Sequence, residues 1–477
     1  MKTSSFASLN DFTQLFPRCL WMALMGLILL ACSTDRHPNL ITTGTSDSKF
    51  YSAIGKEVQV EFNAIYQTTF KDLASVENIS ESRRRLLERN GILETIAFLF
   101  GPLSYRDMGG PKRNQSVKVD WSSPRLNSRG FVELSYQYKG QWLLTQDIKS
   151  PLRLPLPYTA DKLYTPQWKS CSDSAPDHQT PSFFWYFWDP TRSGCDHVLN
   201  EQYQMINVAL TAQTTQQTQT YPEYSELLKS AGQKNNLQMT FAFGYVEETS
   251  NPKPETDRDQ GMLEYQKFLR LVRTHSQKLR WEETPILSKE YLGSRQDNIQ
   301  VGSRFRGQKD GVQVTLNLVA AAGIDQMELF AKSFAHDHDG FFAWFGHSRV
   351  GSGFDAQNFK QMVDENPRYY SISPNYQLVY WNGCNSYSYY TLPFFQFKAD
   401  LNPSKDPNGT KGLDIIANGL PTYFSFNAAN AQVALQALLR WEEKTSYQKL
   451  IQSLEDRAAH SGTKVIVNVL GDEDNAR

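Results

Sequence analysis

This 477-residue chain lacks an excess of either charge, because 49 basic and 50 acidic residues leave a formal net charge of −1. Binding nucleic acid through its phosphates needs a basic field, so the composition argues against a nucleic-acid partner. Long apolar runs are also scarce, and the one near the N-terminus is too short to cross a bilayer as a stable helix. The chain is long enough for two or three domains, and its 40% of hydrophobic and 13% of aromatic residues support sizeable cores.

Cysteine is scarce too, with five residues in the chain. Two of them lie in an N-terminal segment that has the order of a secretory signal. Lys2 and Arg18 come first, and an uncharged stretch about as long as a signal-peptide h-region follows. The segment ends in Leu29-Leu30-Ala31-Cys32, which resembles the lipobox of bacterial lipoproteins. The resemblance implies that Cys32 is lipidated and becomes the first residue of the mature chain.

The same resemblance predicts the first part of the domain organisation. Residues 1–31 would be the signal peptide, and residues 32–49, which are rich in Ser, Thr and Asp, a flexible tether. Ser33 stands where lipoproteins of the inner membrane usually have Asp, so we expect a lipid-anchored protein of the bacterial cell envelope, at the outer membrane. The alternatives are an ordinary cleaved signal and a membrane anchor with a chance cysteine.

Export would place the mature chain in an oxidising compartment, where structural cysteines pair. Cys171 and Cys195 flank one segment, and we expect them to form a disulfide bond. Cys384 is then left over. A nucleophile is one reason for an exported protein to keep such a thiol, and a buried, inert thiol is the alternative.

Residues 50–230 predict an α+β domain rich in strands. Apolar and polar residues alternate over Val58–Ala64, as along one face of a strand. Lys139-Gly140 lies between two strand-like segments and predicts a hairpin turn. A helix is expected from Ser80, with Gly91 as its stop. The aromatic run Phe183–Pro190 predicts a core strand or, alternatively, exposed rings that stack on sugar faces or grip a partner.

Residues 237–477 alternate strand-like and helix-like segments, which is typical of a mostly parallel sheet flanked by helices. Two apolar runs each lead to a reactive side chain: Phe341–Phe345 is followed by Gly346-His347, and Leu378–Asn382 by Gly383-Cys384. Open α/β sheets bind ligands at the carboxyl ends of their strands. The sequence therefore predicts a catalytic pair, His347 and Cys384, at one edge of the sheet. The other expected strands are Leu237–Val246, Ile299–Phe305, Val312–Ala320, Leu413–Ile416 and Val465–Leu470.

A block ending in Gly-His and a later block ending in Gly-Cys resemble the caspase-like cysteine peptidases, a group that includes caspases, legumain, clostripain, gingipains and separase. The resemblance covers about half the chain, residues 237–477. It implies a caspase-like α/β fold, a peptide or protein substrate, and hydrolysis without a cofactor or metal. Cys384 would be the nucleophile and His347 the proton carrier. The family usually has Gly after the histidine, whereas this chain has Ser348, whose side chain could crowd an oxyanion donor.

Three alternatives compete with a working peptidase. The first is a catalytically inactive caspase-like scaffold or binding lipoprotein. The second is a serine hydrolase, because Ser348 is followed in order by Asp414 and His460. The third is a metal site in His336-Asp337-His338-Asp339-Gly340, which a polar turn between helix and strand explains more simply.

Overall fold

The computed structural model describes residues 52–69, 79–160, 169–172, 184–195, 202–212, 220–247, 249, 252–291, 298–322, 325–348 and 356–472. The predicted signal peptide, the tether and Cys32 lie outside the described residues. In the part that is described the chain is mixed α/β with two sheets, which confirms the coarse fold class expected from the sequence. No helix there is both long enough and apolar enough to span a bilayer.

The first sheet is antiparallel and has the strand order β2-β4-β1-β6-β5, with the short β3 paired to β4. Its strands are β1 Gly55–Thr68, β2 Gly109–Val119, β3 Arg125–Leu126, β4 Val132–Thr145, β5 Leu152–Pro157 and β6 Tyr203–Ala212. The helices of this region are α1 Glu81–Leu87, α2 Leu93–Ala97, α3 Phe100–Tyr105 and α4 Phe184–Phe187. Apolar residues of α2 and α3 join those of β1 and β4 in one buried core, so these helices cover one face of the sheet.

Two predictions for this region were wrong, the hairpin turn at Gly140 and the end of the helix at Gly91. Strand β4 runs straight through Lys139-Gly140 and pairs with β1 over its whole length. Helix α1 does not stop at Gly91 but continues through a π-helical turn, Glu88–Ile92, into α2. A Cβ atom would come within 2.4 Å of the Tyr138 hydroxyl at Gly140, and within 2.5 Å of the Tyr66 hydroxyl at Gly91. Both glycines therefore allow a buried tyrosine to pack close to the backbone.

The second sheet is mixed, with the order β14-β13-β12-β11-β7-β10-β9-β8. Its strands are β7 Asn236–Gly244, β8 Glu282–Leu287, β9 Gln300–Lys309, β10 Val312–Ala321, β11 Phe341–Phe345, β12 Gln377–Asn382, β13 Leu413–Asn418 and β14 Val467–Leu470. Strands β13, β12, β11, β7 and β10 are parallel to one another. The antiparallel strands β14, β9 and β8 lie at the two edges, and every strand predicted for this region lies in the sheet.

Helices cover both faces of the second sheet. The remaining helices are α5 Tyr224–Leu227, α6 Gln260–Leu279, α7 Ser288–Tyr291, α8 Gln326–Phe330, α9 Ala356–Glu365, α10 Ser386–Leu401, α11 Asn427–Leu438 and α12 Tyr447–His460. A π-helical turn, Ala331–His336, follows α8. One core packs α6, α11 and α12 on the sheet, and a second core packs α8, α9 and α10 on the other face. Alternate residues of the central strands, such as Phe345 and Trp344, point into the two cores.

The two sheets belong to one compact unit, Ser48–Arg477. The predicted boundary between residues 230 and 237 separates them along the chain, yet buried polar contacts join them in space. The carboxylate of Glu57 in β1 accepts hydrogen bonds from Gln141 Nε2 at 2.9 Å, the Tyr387 hydroxyl at 2.8 Å and Asn468 Nδ2 at 3.0 Å. Gln141 belongs to the first sheet, whereas the other two donors come from α10 and β14, so one carboxylate holds both sheets.

Candidate active site

The residues predicted as a catalytic pair leave the sheet from adjacent strands. Strands β11 and β12 are parallel, and their last paired residues are Phe345 and Asn382. The chain then turns out of the sheet at Gly346-His347 in one strand and at Gly383-Cys384 in the other. A Cβ on Gly383 would lie 2.4 Å from Ser348 Oγ and 3.0 Å from Gly346 O. The two turns therefore touch, and the glycine before the cysteine is what lets them approach.

His347 is half-buried, and two contacts fix its ring. Its Nε2 atom lies 3.2 Å from the carbonyl oxygen of Val246, just past the end of β7. Because a carbonyl oxygen only accepts, Nε2 carries the proton, and Nδ1 is the acceptor nitrogen of the neutral ring. The ring also meets the edge of Phe424, with 5.0 Å between the ring centres. Burial lowers the pKa of His347, which keeps the imidazole neutral.

The carbonyl that holds His347 is itself held in place. Asp259 caps the start of α6 by accepting from Gly261 N at 2.8 Å. The same carboxylate accepts from Val246 N at 3.0 Å and from Glu247 N at 3.1 Å. The segment after β7 is thereby fixed to the first turn of α6. No property of the Val246 side chain predicts this role, because the group that acts is a backbone carbonyl.

Cys384 is a free, half-buried cysteine. Its sulfur donates a weak hydrogen bond of 3.6 Å to the carbonyl oxygen of Thr422, in the segment between β13 and α11. Burial raises the pKa of the Cys384 thiol, partly offset by its contacts with Thr422. The two shifts have one result, since a thiol with a raised pKa and an imidazole with a lowered pKa both rest uncharged near neutral pH.

One short segment touches both members of the pair. Thr422 contacts the sulfur of Cys384, and Phe424 contacts the ring of His347. Tyr423, between them, is 48% exposed. Residues 422–424 therefore border the site, through the carbonyl of Thr422 and the ring of Phe424.

Below the pair lies a buried cluster of asparagines. Asn382 Oδ1 accepts from the Tyr380 hydroxyl at 2.9 Å, and Asn382 Nδ2 donates to Asn427 Oδ1 at 2.9 Å. Asn382 Oδ1 also accepts from Asn418 Nδ2 at 3.2 Å and from Asn430 Nδ2 at 3.3 Å. The cluster ties the carboxyl ends of β12 and β13 to the first turn of α11, and so fixes the strand end that carries Cys384.

No family model matches the chain, and neither does any curated protein or solved structure.

The structure does not bring the residues of the serine alternative together. Asp414 lies at the start of β13, opposite Leu378, and so at the other end of the strand from the site. It accepts hydrogen bonds from the hydroxyls of Tyr376 and Tyr447 inside the core. His460 lies exposed at the end of α12, where its Nδ1 is 2.5 Å from the carbonyl oxygen of Asp456. Ser348 is buried against Gly383 instead.

The residues of the alternative metal site make hydrogen bonds within the protein. His336 Nδ1 lies 2.6 Å from Asp337 Oδ1, and His338 Nε2 lies 2.9 Å from Ser371 O, in the turn that leads to β11. Among the described residues no group of three or more His, Cys, Asp or Glu side chains is placed to hold a metal ion.

Cys171 and Cys195 lie within bonding distance, with their Cα atoms 4.6 Å apart. Between them, the aromatic run does not form the expected core strand. Its described residues form the short helix α4 and the turn that follows, where Trp188 is fully buried. The helix and the turn are held by local contacts around the paired cysteines rather than by pairing with a neighbouring strand.

Proposed function

We propose that the chain is a caspase-like cysteine endopeptidase that hydrolyses peptide bonds with Cys384 and His347. The observation that carries the proposal is the pairing of two strand ends. His347 and Cys384 follow adjacent parallel strands, and the Val246 carbonyl orients the imidazole so that Nδ1 is the nitrogen able to accept a proton. The parallel core of the second sheet, with helices on both faces, is the setting that a caspase-like domain requires.

In the proposed reaction the sulfur of Cys384 attacks the carbonyl carbon of the scissile peptide while the thiol proton passes to Nδ1 of His347. A C–S bond forms, and the carbonyl becomes an oxyanion. His347 then protonates the leaving amine as the C–N bond breaks, which leaves a thioester on Cys384. Water that gives a proton to Nδ1 hydrolyses the thioester and restores the thiol.

The oxyanion needs donors at the same place. The backbone N–H groups of Cys384 and Ser348 are the candidates, because Ser348 N would lie 3.3 Å from a Cβ on Gly383, between the two strand ends. A donor of this kind typically stabilises the transition state by about 3 kcal/mol. The Ser348 side chain packs toward Gly383. That packing supports a role for Ser348 in spacing the two turns.

The test is mass analysis after treatment with peptidyl acyloxymethyl ketones that differ in the side chain before the reactive carbon. We expect one covalent adduct on Cys384 in the wild type and none in Cys384→Ala or His347→Ala. Asn366→Ala is a suitable control, because its side chain is exposed on the outer end of α9. A wild-type protein that forms no adduct with any side-chain class, while Cys384 stays free, would refute the peptidase.

A second candidate is a catalytically inactive scaffold or binding lipoprotein with the same fold. The raised pKa of Cys384 favours it, because little thiolate is present at neutral pH. The two functions differ in one outcome. A scaffold keeps its biological function in the Cys384→Ala variant, whereas a peptidase loses it.

We also propose that the chain is a lipoprotein of the bacterial cell envelope, anchored through Cys32 at the outer membrane. The proposal is supported by the Leu29-Leu30-Ala31-Cys32 motif after an uncharged stretch and by Ser33 behind it. Globomycin, which blocks the signal peptidase of lipoproteins, should cause a slower-migrating precursor to accumulate. A precursor whose mobility is unchanged by globomycin and by Cys32→Ala would refute lipidation.

A further inference from the structure

Tyr186 belongs to the segment between Cys171 and Cys195, far from the catalytic pair in the sequence, yet it reaches the residue that follows Cys384. We propose that Tyr186 is a positioning residue that sets the orientation of Cys384 by acting through Asn385. The inference rests on the proposed peptidase function. It gives the region of the first sheet a part in the active site of the second.

Asn385 is the joint between the nucleophile and helix α10. Its backbone is left-handed, with φ 50°, at the N-cap position of that helix. Its N–H donates to Leu420 O at 3.2 Å, and its Nδ2 donates to Gly419 O at 3.2 Å. The segment that it grips continues to Thr422, whose carbonyl accepts from Cys384. Asn385 therefore fixes the backbone on one side of the sulfur and the hydrogen-bond acceptor on the other.

The remaining polar atom of the Asn385 side chain is occupied by Tyr186. The Tyr186 hydroxyl donates to Asn385 Oδ1, and both side chains are buried. Burial raises the pKa of Tyr186, so the hydroxyl stays protonated and remains a donor. The first sheet closes the other side, because a Cβ on Gly110 in β2 would lie 3.1 Å from Asn385 Nδ2. Two separate parts of residues 50–230 thus confine one side chain beside Cys384.

Tyr186 is held in place by the packing of its own ring and by the packing of the residues that follow it. Its ring lies 5.7 Å from Phe100, which stacks at 5.7 Å on Tyr389 of α10. Two residues later, Trp188 is fully buried with Cys171 and meets the Phe98 ring edge-on at 5.4 Å. The backbone N–H of the next residue, Asp189, donates to Cys171 O at 2.8 Å. The paired cysteines therefore fix the turn that carries Tyr186.

The experiment measures the alkylation of Cys384 by iodoacetamide in the full chain, followed by mass analysis of the Cys384 peptide without reductant. Tyr186→Phe removes the hydroxyl but keeps the ring on Phe100. Asn385→Gly keeps the left-handed backbone, which glycine adopts freely, and removes the amide. The matched control is Tyr224→Phe, another buried tyrosine, whose hydroxyl donates to Ala437 O at 3.1 Å and Thr445 O at 3.3 Å on the far side of the second sheet.

A released Cys384 should be more accessible to the small reagent and less well aimed at a peptide. We expect Tyr186→Phe to speed alkylation about threefold or more. Labelling by a peptidyl ketone should slow about tenfold. Tyr224→Phe should leave both rates unchanged, at a similar thermal midpoint to Tyr186→Phe. Because Tyr186 acts through Asn385, the double variant should match the stronger single variant within about twofold.

An alkylation rate in Tyr186→Phe equal to the wild-type rate would overturn the proposal, as would effects of the two single variants that simply multiply in the double variant. Failure of the peptidase is a separate result. If the wild type forms no adduct with any peptidyl ketone, the peptidase is refuted, while the alkylation rates still decide whether Tyr186 positions the thiol.

Discussion

The imidazole of His347 donates from Nε2 to the carbonyl oxygen of Val246 across 3.2 Å, and this contact assigns the two ring nitrogens different roles. The donor nitrogen is bound to the protein, and Nδ1 remains for proton transfer. A backbone carbonyl can hold the ring in this tautomer without adding a charge. The proposed reaction would then start from a neutral pair rather than from an ion pair of thiolate and imidazolium.

The neutral pair predicts the pH dependence of labelling. Burial lowers the pKa of His347 from its ordinary value of 6.5, so the base stays competent into more acidic solution. We expect the acid limb of peptidyl ketone labelling to have its midpoint below pH 6.5. The same shift makes the contribution of neutral His347 to folding fully present above pH 6.5 and lost as pH falls through the folded-state pKa.

The measurement is the rate of labelling from mildly acidic to neutral pH, with the free energy of unfolding followed over the same range. In His347→Gln the unfolding free energy should depend less on pH there. An acid limb above the ordinary histidine value would contradict the neutral pair.

Gly383→Ala should abolish labelling of Cys384. The new Cβ would lie 2.4 Å from Ser348 Oγ and 3.0 Å from Gly346 O, so the turns that carry His347 and Cys384 must separate. Overpacking of this kind costs about 1 to 3 kcal/mol of stability. The matched control is Gly412→Ala, where the nearest atom would be an ordinary 3.5 Å away. Labelling of Gly383→Ala at the rate of the control would show that close approach of the turns is not required.

Asn382→Leu should destabilise the fold and slow labelling together. The substitution keeps the size of the side chain but removes one donor and one acceptor from a buried cluster. Neighbouring asparagine amides and the Tyr380 hydroxyl lose their shared acceptor, and we expect a loss of about 3 kcal/mol or more. Chemical denaturation measures the loss, with Asn366→Leu as an exposed control. Equal stability of the two variants would mean that the cluster relaxes without cost.

Glu455 predicts a second pH effect, in the alkaline direction. Burial raises its pKa from 4.5 to about 8. A raised folded-state pKa means that the contribution of Glu455 to stability is fully present below pH 4.5 and is lost as pH rises through about 8. Relative to Glu455→Gln, the unfolding free energy of the wild type should fall with a slope of at most about 1.4 kcal/mol per pH unit. Glu443→Gln, at an exposed site, should show no such difference.

The measurement for Glu455 is urea unfolding at several pH values. Its carboxylate accepts from Ser52 Oγ at 2.5 Å and from Val467 N at 3.1 Å, so it joins the start of the described chain to the last strand. A difference between wild type and Glu455→Gln that stays constant with pH would show that Glu455 does not titrate in this range.

Much of the second sheet could be predicted, because many of its strands are short apolar runs with polar ends. Such runs are typical of strands buried between two layers of helices. The first sheet was harder, since Gly140 and Gly91 carry the same sequence signal as a turn or a helix stop. What decided their role was a buried tyrosine side chain that packs on each glycine, Tyr138 from the same strand on Gly140 and Tyr66 from β1 on Gly91. A single sequence contains no record of such a contact.

The two strand ends that carry His347 and Cys384 could be predicted by the same reasoning, because both side chains come directly after apolar runs. The residues that hold His347 and Cys384 in place could not be predicted in this way. Val246 contacts the imidazole through a backbone carbonyl, and any residue type with a backbone N–H for Asp259 could stand there. Tyr186 is 199 positions from Asn385, so only the folded chain brings them together. Asn385 alone left a signal, since asparagine is one of the few residues that accept a left-handed backbone.

The carboxylate of Glu57 bears on how this protein can change over evolutionary time. It receives donors from Gln141 in one sheet and from Tyr387 and Asn468 around the other. A gene fusion that transferred only the second half to a new partner would leave the Tyr387 hydroxyl and the Asn468 amide without their shared acceptor. Substitutions at Glu57 should therefore be tolerated best alongside compensating changes at Tyr387 and Asn468.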